Sequence, residues 1–182
     1  MERHLVGPWE RLVQGKARLL DRVGARDQAF REWRPSPTAW SFADVVEHLE
    51  LVERHMLTAL AKEPDVTRPR RWSRWRRLRW LGLRAALKAG VRIRAPTEII
   101  LPTRELQWHA LLARWEEQRR AFEEWLRASD PRIHPRPRFK HPAIGCLNVP
   151  EAVTFAADHL EHHLGQVGRI ERAFGGRASL GG

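Results

Sequence analysis

Apolar residues recur at intervals of three and four along most of this 182-residue chain, and that spacing constrains the fold more than any other feature. Such intervals place side chains on one face of an α-helix, whereas a half-buried β-strand would show alternation. No stretch alternates over a useful length. Because the length suits one ordinary core, the pattern predicts a single all-α domain over residues 1–182.

The first half of the chain predicts two long helices. An apolar stripe runs over residues 10–30, and the proline-containing segment 34–38 ends it. Ser41 then stands as an N-cap, with Asp44 three residues later in the manner of a capping box. The apolar spacing that follows continues down to Pro64, so the second helix is well delimited.

The second half predicts two more. Residues 103–129 carry a helical stripe, which Thr103 opens and Ser129 ends. Four prolines make the connection 130–147 extended and irregular. Pro150 suits the first turn of a last helix, and Gly175 and Gly176 are expected to stop it.

Charge is concentrated in one segment. Lys and Arg number 33 against 22 Asp and Glu, which gives a formal net charge of +11. Between Val66 and Thr97 there are eleven Arg or Lys and no acid, so the rest of the chain balances at 33 − 11 = 22 basic against 22 acidic residues. A fifth, basic helix is predicted between Trp72 and Ala89. It belongs to an insert at 68–94, between the second and third bundle helices.

The basic insert has three readings at this level. It can lie at an anionic membrane surface, it can bind phosphates of a polynucleotide or an anionic substrate, or its arginines can be solvated while its apolar side packs on the bundle. Three Trp within nine residues favour lipid over nucleic acid. The proposed contact residues share one helical face: Arg70, Arg74, Arg77, Arg84 and Lys88. The apolar side comprises Trp75, Leu78, Ala85 and Ala89.

Three histidines have positions that composition does not explain. His159 and His163 are four residues apart in the last helix, so they share a face, and His48 lies in the middle of the second helix near its apolar side. Three neutral imidazoles suit Zn, Ni, Cu or Fe and leave a coordination position open for water or substrate. A histidine pair at this spacing also occurs by chance on solvated helix faces, so the spacing alone leaves both readings open.

The order of motifs resembles that of the DinB-like family. The family places W-S and then H-L in its second helix, followed near the C-terminus by H-P-x-x-G-x-L and H-x-x-x-H-x-x-Q-x-x-R-I. The matching residues here are Trp40, Ser41, His48 and Leu49, then His141, Pro142, Gly145 and Leu147, then His159, His163, Gln166, Arg169 and Ile170.

This resemblance implies an antiparallel four-helix bundle, commonly a homodimer, in which His48, His159 and His163 bind a divalent metal ion. We expect Zn or Ni. Family members with assigned chemistry include thiol-S-transferases and hydrolases, so the expected activity is activation of a thiol or a water for an unknown small-molecule substrate. Gln166, His55 and Glu50 are candidates for groups that orient the ligands, and the alternative for each is an ordinary surface residue. The alternative is a non-catalytic binding module that acts through residues 68–94 at an anionic membrane or nucleic acid.

The expected location is cytoplasmic. The chain has one cysteine, Cys146, which excludes an internal disulfide and fits a reducing compartment. Its first residues are charged and lack the apolar core of a secretory signal, and no window approaches 18 uninterrupted apolar residues.

Overall fold

The computed structural model describes residues 1–24, 26–62, 74–91 and 98–178, and these residues are helical apart from loops and one small hairpin. The α-helices are α1 (Arg3–Asp21), α2 (Gln28–Glu32), α3 (Phe42–Ala61), α4 (Arg74–Lys88), α5 (Trp108–Ala128) and α6 (Val149–Ala178). Short 3-10 helices span Glu98–Ile100 and Pro131–Ile133. Strands β1 (Phe139–His141) and β2 (Gly145–Leu147) pair antiparallel. None of the helices described is long and apolar enough to cross a bilayer.

Helices α1, α3, α5 and α6 form a four-helix bundle around one apolar core, as predicted. Helix α6 packs on α1 and α3, and α3 packs on α5. The fourth side is closed by α1 against α5, where the rings of Trp9 and Phe122 meet edge to face with centroids 5.4 Å apart. Trp115 is fully buried. The four amphipathic stripes therefore face one another, which is what buries them from water.

The contacts also give the directions of the helices. In the contacts between α3 and α5 the residue numbers increase together, from Phe42 with Trp108 to Glu53 with Arg119. These two helices therefore run parallel. Trp40, just before α3, stacks on His163, whereas His48, later in the chain, contacts His159, which is earlier on α6, so α3 and α6 are antiparallel. Parallel neighbours need a long connection, and the segment between α3 and α5 supplies one that includes α4.

Helix α3 begins where the sequence predicts. The side chain of Ser41 accepts the backbone N–H of Asp44, and the carboxylate of Asp44 accepts the backbone N–H of Ser41, which completes the capping box. Both residues are buried. A fixed start of α3 fixes the direction in which His48, two turns later, projects.

The predicted first helix over 10–30 is wrong in its bounds. Helix α1 begins earlier, at Arg3, and ends at Asp21, after which a turn at Val23 and Gly24 leads to the separate helix α2. The side chain of Asp27 accepts the backbone N–H of Phe30 and so starts a new helix instead of continuing the old one. The apolar spacing continues across the break, which is why periodicity alone does not reveal it.

The predicted opening of the third helix at Thr103 is also wrong, because α5 begins at Trp108. The carboxylate of Glu47 on α3 accepts the backbone N–H groups of Thr103 and Arg104 and the hydroxyl of Thr103. Arg104 adopts a φ of 64°. These tertiary bonds hold the segment as a loop and use the groups that a helix start would need.

Helix α6 does not stop at Gly175 and Gly176 but continues to Ala178. Two glycines cost a helix about 1 kcal/mol each relative to alanine. Phe174 packs edge to face against Phe30 and Trp33, and the guanidinium of Arg177 lies 4.6 Å from the ring of Phe174. Packing on both sides of the glycines thus outweighs their low propensity.

The basic helix predicted between Trp72 and Ala89 is present as α4, which packs on α6. Its inward residues are Leu83 and Leu87, while Trp75 and Leu78 are exposed. The reading in which the Trp75 and Leu78 side packs on the bundle is therefore wrong. The connection 130–147 is ordered more than expected, since it contains the β1–β2 hairpin as well as a 3-10 helix.

Candidate metal centre

The three predicted histidines converge between α3 and α6. The Nε2 atom of His159 lies 3.4 Å from Nε2 of His48 and 3.1 Å from Nε2 of His163. All the ligand nitrogens of this group lie within 4.8 Å of one another. One turn of α6 separates His159 from His163, so both project from the same face toward His48. We call these residues the three-histidine centre.

Hydrogen bonds at the far side of two rings set their tautomers. Nδ1 of His48 donates to the carbonyl oxygen of Ile100 at 2.7 Å, and Nδ1 of His163 donates to Oε1 of Gln166 at 2.8 Å. A carbonyl oxygen can only accept, so the hydrogen is on Nδ1 in each case. The Nε2 atoms that face the centre of the group therefore carry lone pairs, as metal ligands require.

The donor set fits a divalent transition-metal ion. Two neutral Nε2 lone pairs point into one small space with His159, and a hydrogen on His159 can satisfy only one of them. In a tetrahedral site with bonds of about 2.0–2.1 Å, ligand nitrogens lie about 3.3–3.4 Å apart. The observed separations of 3.1 and 3.4 Å are close to that spacing. Imidazole ligands favour Zn, Ni, Cu or Fe over Mg or Ca.

The protein keeps these imidazoles neutral. Burial lowers the pKa of His159 and His163 well below the ordinary value of 6.5, and the neighbouring histidines lower both further. Burial also lowers the pKa of His48, and the hydrogen bond to Ile100 opposes this by raising it. A neutral imidazole binds a metal without first losing a proton, so the ligands are ready at pH 7.

Aromatic rings hold the ligands in place. The ring of Trp40 lies 4.8 Å from that of His48 and stacks on His163 at an interplanar angle of 15°. Phe155, one turn before His159 on α6, stacks on His159 with centroids 5.3 Å apart. Trp40 and Phe155 thereby cover part of the centre with apolar surface and leave a side of it open.

That open side faces a cavity of about 890 Å³, which reaches from the centre to α4 and the hairpin. Leu83 and Leu87 of α4 form one wall, and His141 and Pro142 of the hairpin form another. The volume is that of a small-molecule site. The basic insert therefore contributes directly to the wall of the cavity.

The three predicted orienting groups have different positions. Gln166 accepts a hydrogen bond from His163, as described above. His55 lines the cavity beside Phe139, and the centroids of the two rings are 6.0 Å apart. Glu50 is not brought to the centre. It lies about 200° around α3 from His48, and its carboxylate binds Arg114 of α5 at 2.6 Å.

The predicted anion contacts are also divided. Arg77 and Lys88 are exposed, but Nε of Arg84 donates at 2.5 Å to the buried carboxylate of Asp158 on α6. Arg84 therefore holds α4 to the bundle rather than facing a partner. Arg70 and the side chain of Arg74 lie outside the described residues.

Several contributors were not found from the sequence. The carbonyl of Ile100 is a backbone atom 52 residues from its histidine, and no residue pattern marks it. His162 bonds through Nδ1 to the carbonyl oxygen of Leu87 and so joins α6 to α4. Phe155 had a usable signal, since it stands four residues before His159 and so shares its face.

Comparison with known proteins agrees with the fold. The model of the DinB superfamily matches residues 11–167. A crystal structure described as TT2238, a four-helix bundle protein, is similar in fold with a TM-score of 0.59 at 24% identity; the alignment covers 91% of this chain and 98% of that one. No curated protein matches the sequence. On the strength of the family match, together with the bundle and its histidines, the chain belongs to the DinB superfamily.

Proposed function

We propose that this protein is a metal-dependent enzyme that binds a divalent ion, Zn or Ni, at His48, His159 and His163 and uses it to activate a thiol for transfer. The observation that carries the proposal is the convergence of three Nε2 atoms at 3.1 and 3.4 Å on the floor of a cavity. A divalent ion held by neutral ligands keeps its charge and lowers the pKa of a bound thiol or water toward neutrality.

The cavity lining favours thiol transfer over hydrolysis. Among the described residues no Asp or Glu lines it, so a carboxylate general base for water is lacking there. Nδ1 of His141 accepts the backbone N–H of Ala143 at 3.2 Å, so its hydrogen is on Nε2 and its free edge is a donor. A thiol needs less assistance than water because its own pKa is far lower. Hydrolysis stays the alternative reaction.

Metal analysis tests the site itself. Purified protein should contain about one equivalent of Zn or Ni, and His159→Ala should contain far less. His109→Ala is the matched control, because His109 is an exposed histidine on α5. Equal, near-zero metal in the wild type and in His159→Ala would refute the site. Turnover of an electrophile only when a thiol is added would support transfer over hydrolysis.

We also infer a second function, in which α4 docks the protein on an anionic membrane. Among the side chains of α4 that the structure describes, those on the side away from the bundle are apolar: Trp75 is 77% exposed, Leu78 58% and Leu81 59%, and Gly82, Ala85 and Ala89 continue the same face. Exposed Arg77 and Lys88 border one edge and exposed Arg79 the other. Basic helices with this arrangement lie in membrane interfaces.

An anionic lipid surface suits this face better than a second copy of the chain. A two-fold dimer would place the face against itself, and every charge between residues 66 and 97 is positive. Like charges would then oppose one another across the interface. The predicted homodimer stays a prediction, and sedimentation velocity measures it.

Vesicle binding tests the membrane proposal. The protein should bind phosphatidylglycerol-containing vesicles at low salt and release at high salt, whereas pure phosphatidylcholine should bind weakly. Leu78→Asp should abolish binding and Val13→Asp, at an exposed apolar position of α1, should not. Absence of binding at low salt, or equal loss in both variants, would contradict it. Binding to an oligonucleotide that Leu78→Asp leaves intact would indicate the polynucleotide reading instead.

A further inference from the structure

The charges around the cavity are of one sign. Its lining within the described chain includes Lys140 and Arg169 but no carboxylate. The three-histidine centre at its floor is neutral without metal and becomes positive when a divalent ion is bound. The electrostatic field in the cavity therefore attracts anions and repels cations.

Arg169 differs from the other arginines packed into this fold. Arg84, Arg114 and Arg119 each bind a buried carboxylate, of Asp158, Glu50 and Glu53 respectively. Arg169 is partly buried on α6, yet within the described chain it has no carboxylate within 4.0 Å and no hydrogen bond. Its guanidinium lines the cavity with no carboxylate of the described chain beside it, so it can bind an anion that enters the cavity from solution.

The guanidinium shares the cavity with the three-histidine centre. Its Nη1 atom lies 3.9 Å from where a Cβ would be at Gly165, one turn back along α6, and equally far from that position at Gly90, just beyond α4. The side chain thus lies between α6 and the end of α4, in the cavity wall. Its charge acts on the ring of His163 and contributes to lowering the pKa of that histidine.

We propose that Arg169 binds the carboxylate of a small anionic substrate whose other end, a thiol, lies at the three-histidine centre. The planar guanidinium offers a carboxylate two parallel hydrogen bonds, which fixes orientation as well as charge. Lys140, exposed on the hairpin wall, adds attraction without a fixed geometry. The proposal rests on the metal site proposed above and assigns that site a substrate class, a carboxylate-bearing thiol.

Two thiols of matched length test the proposal on the Co²⁺-loaded protein. Mercaptobutyrate carries a carboxylate and mercaptobutanol a hydroxyl, and the chain of each is too long for favourable chelation of the ion by both ends. Thiolate binding is followed by the sulfur-to-cobalt charge-transfer absorption, so no turnover is needed. Mercaptobutyrate should bind about tenfold more tightly or better, as expected for charge-assisted hydrogen bonds.

Variants at Arg169 separate its role from the general field. Arg169→Gln should remove most of the preference for mercaptobutyrate, with Lys140 supplying the small remainder, while leaving mercaptobutanol binding and cobalt content unchanged. Arg169→Lys should retain part of the preference, because it keeps the charge but not the fork. Arg172→Gln is the matched control, since Arg172 is an exposed arginine three residues later on the same helix.

An equal affinity for the two thiols in the wild type, or a preference that Arg169→Gln leaves undiminished, would overturn the proposal. Failure of the protein to bind cobalt at all would refute the metal site instead. In that event calorimetry on the metal-free protein still decides the anion site. Succinate should bind and its neutral diamide should not, and succinate binding should be lost in Arg169→Gln; succinate binding that is absent or unaffected by that change would contradict the assignment.

Discussion

Asp158 joins three helices, and replacing it by asparagine tests how α4 is held on the bundle. Its carboxylate on α6 is fully buried and accepts Nη2 of Arg11 on α1 and Nε of Arg84 on α4, both at 2.5 Å. Asn is isosteric, so Asp158→Asn opens no cavity. It removes the charge and turns an amide donor toward two guanidinium donors.

The magnitude follows from burial. Two charge-assisted hydrogen bonds are worth about 1.5–3 kcal/mol each, so their full loss would cost about 3–6 kcal/mol. The side chains of Arg11 and Arg84 are 46% and 29% exposed and regain much of their hydration when released. We therefore halve the sum and expect the free energy of unfolding to fall by about 1.5–3 kcal/mol. For a chain of this length that lowers Tm by about 3–12 °C.

Urea unfolding of the wild type and of Asp158→Asn measures the change. Glu123→Gln is the control, because Glu123 pairs with Arg127 on the exposed side of α5 and should cost no more than about 0.5 kcal/mol. Tryptic cleavage at Arg77 and Arg79 should also become faster, since α4 loses its polar attachment. A loss of stability in Asp158→Asn no greater than in the control would refute this account of the ion pair.

Three other perturbations test the remaining structure. Gln166→Leu leaves Nδ1–H of His163 without an acceptor, and we expect metal affinity, measured by chelator competition, to fall about 10–100-fold; unchanged affinity would contradict the tautomer assignment. Glu53→Gln breaks a pair with Arg119 in which both side chains are nearly buried, so the free energy of unfolding should fall by about 3 kcal/mol, measured in urea. The metal-free protein should lose stability as pH falls below about 6.5, because unfolding frees buried histidines to take up protons. Burial lowers the pKa of His141 from 6.5 to about 4. Between pH 6.5 and 4 the free energy of unfolding should therefore fall less steeply in His141→Gln than in the wild type, and equal slopes in the two proteins would contradict this explanation.

The sequence was most informative about features that depend on residues within a single helix. Ser41 and Asp44 bond to each other's backbone, so the start of α3 could be predicted from local chemistry alone. The four-residue interval of His159 and His163 likewise determines that they share a face of α6. Their convergence with His48 required a family resemblance, because no local rule sets the rotation of α3 against α6.

The errors occur where distant contacts decide. Glu47 holds the segment before α5 as a loop through bonds that span 56 and 57 residues. The inward direction of Arg84 depends on Asp158, 74 residues later. Composition gave Arg84 the same character as Arg77, yet one is bound to the bundle and the other is exposed. A pattern of residue types does not contain the partner that distinguishes them.

Helix α6 supplies two of the three histidines of the centre, together with Gln166 and the carboxylate of Asp158, while His48 comes from α3. A slip of one residue between α6 and α3 would turn His159 and His163 by about 100° and shift them by about 1.5 Å relative to His48. A partly assembled bundle therefore lacks the complete set of imidazoles, and the proposed ion would bind only to the native register of the two helices. Under that proposal, metal uptake during refolding should follow the last packing step rather than helix formation, and the ion would report bundle closure.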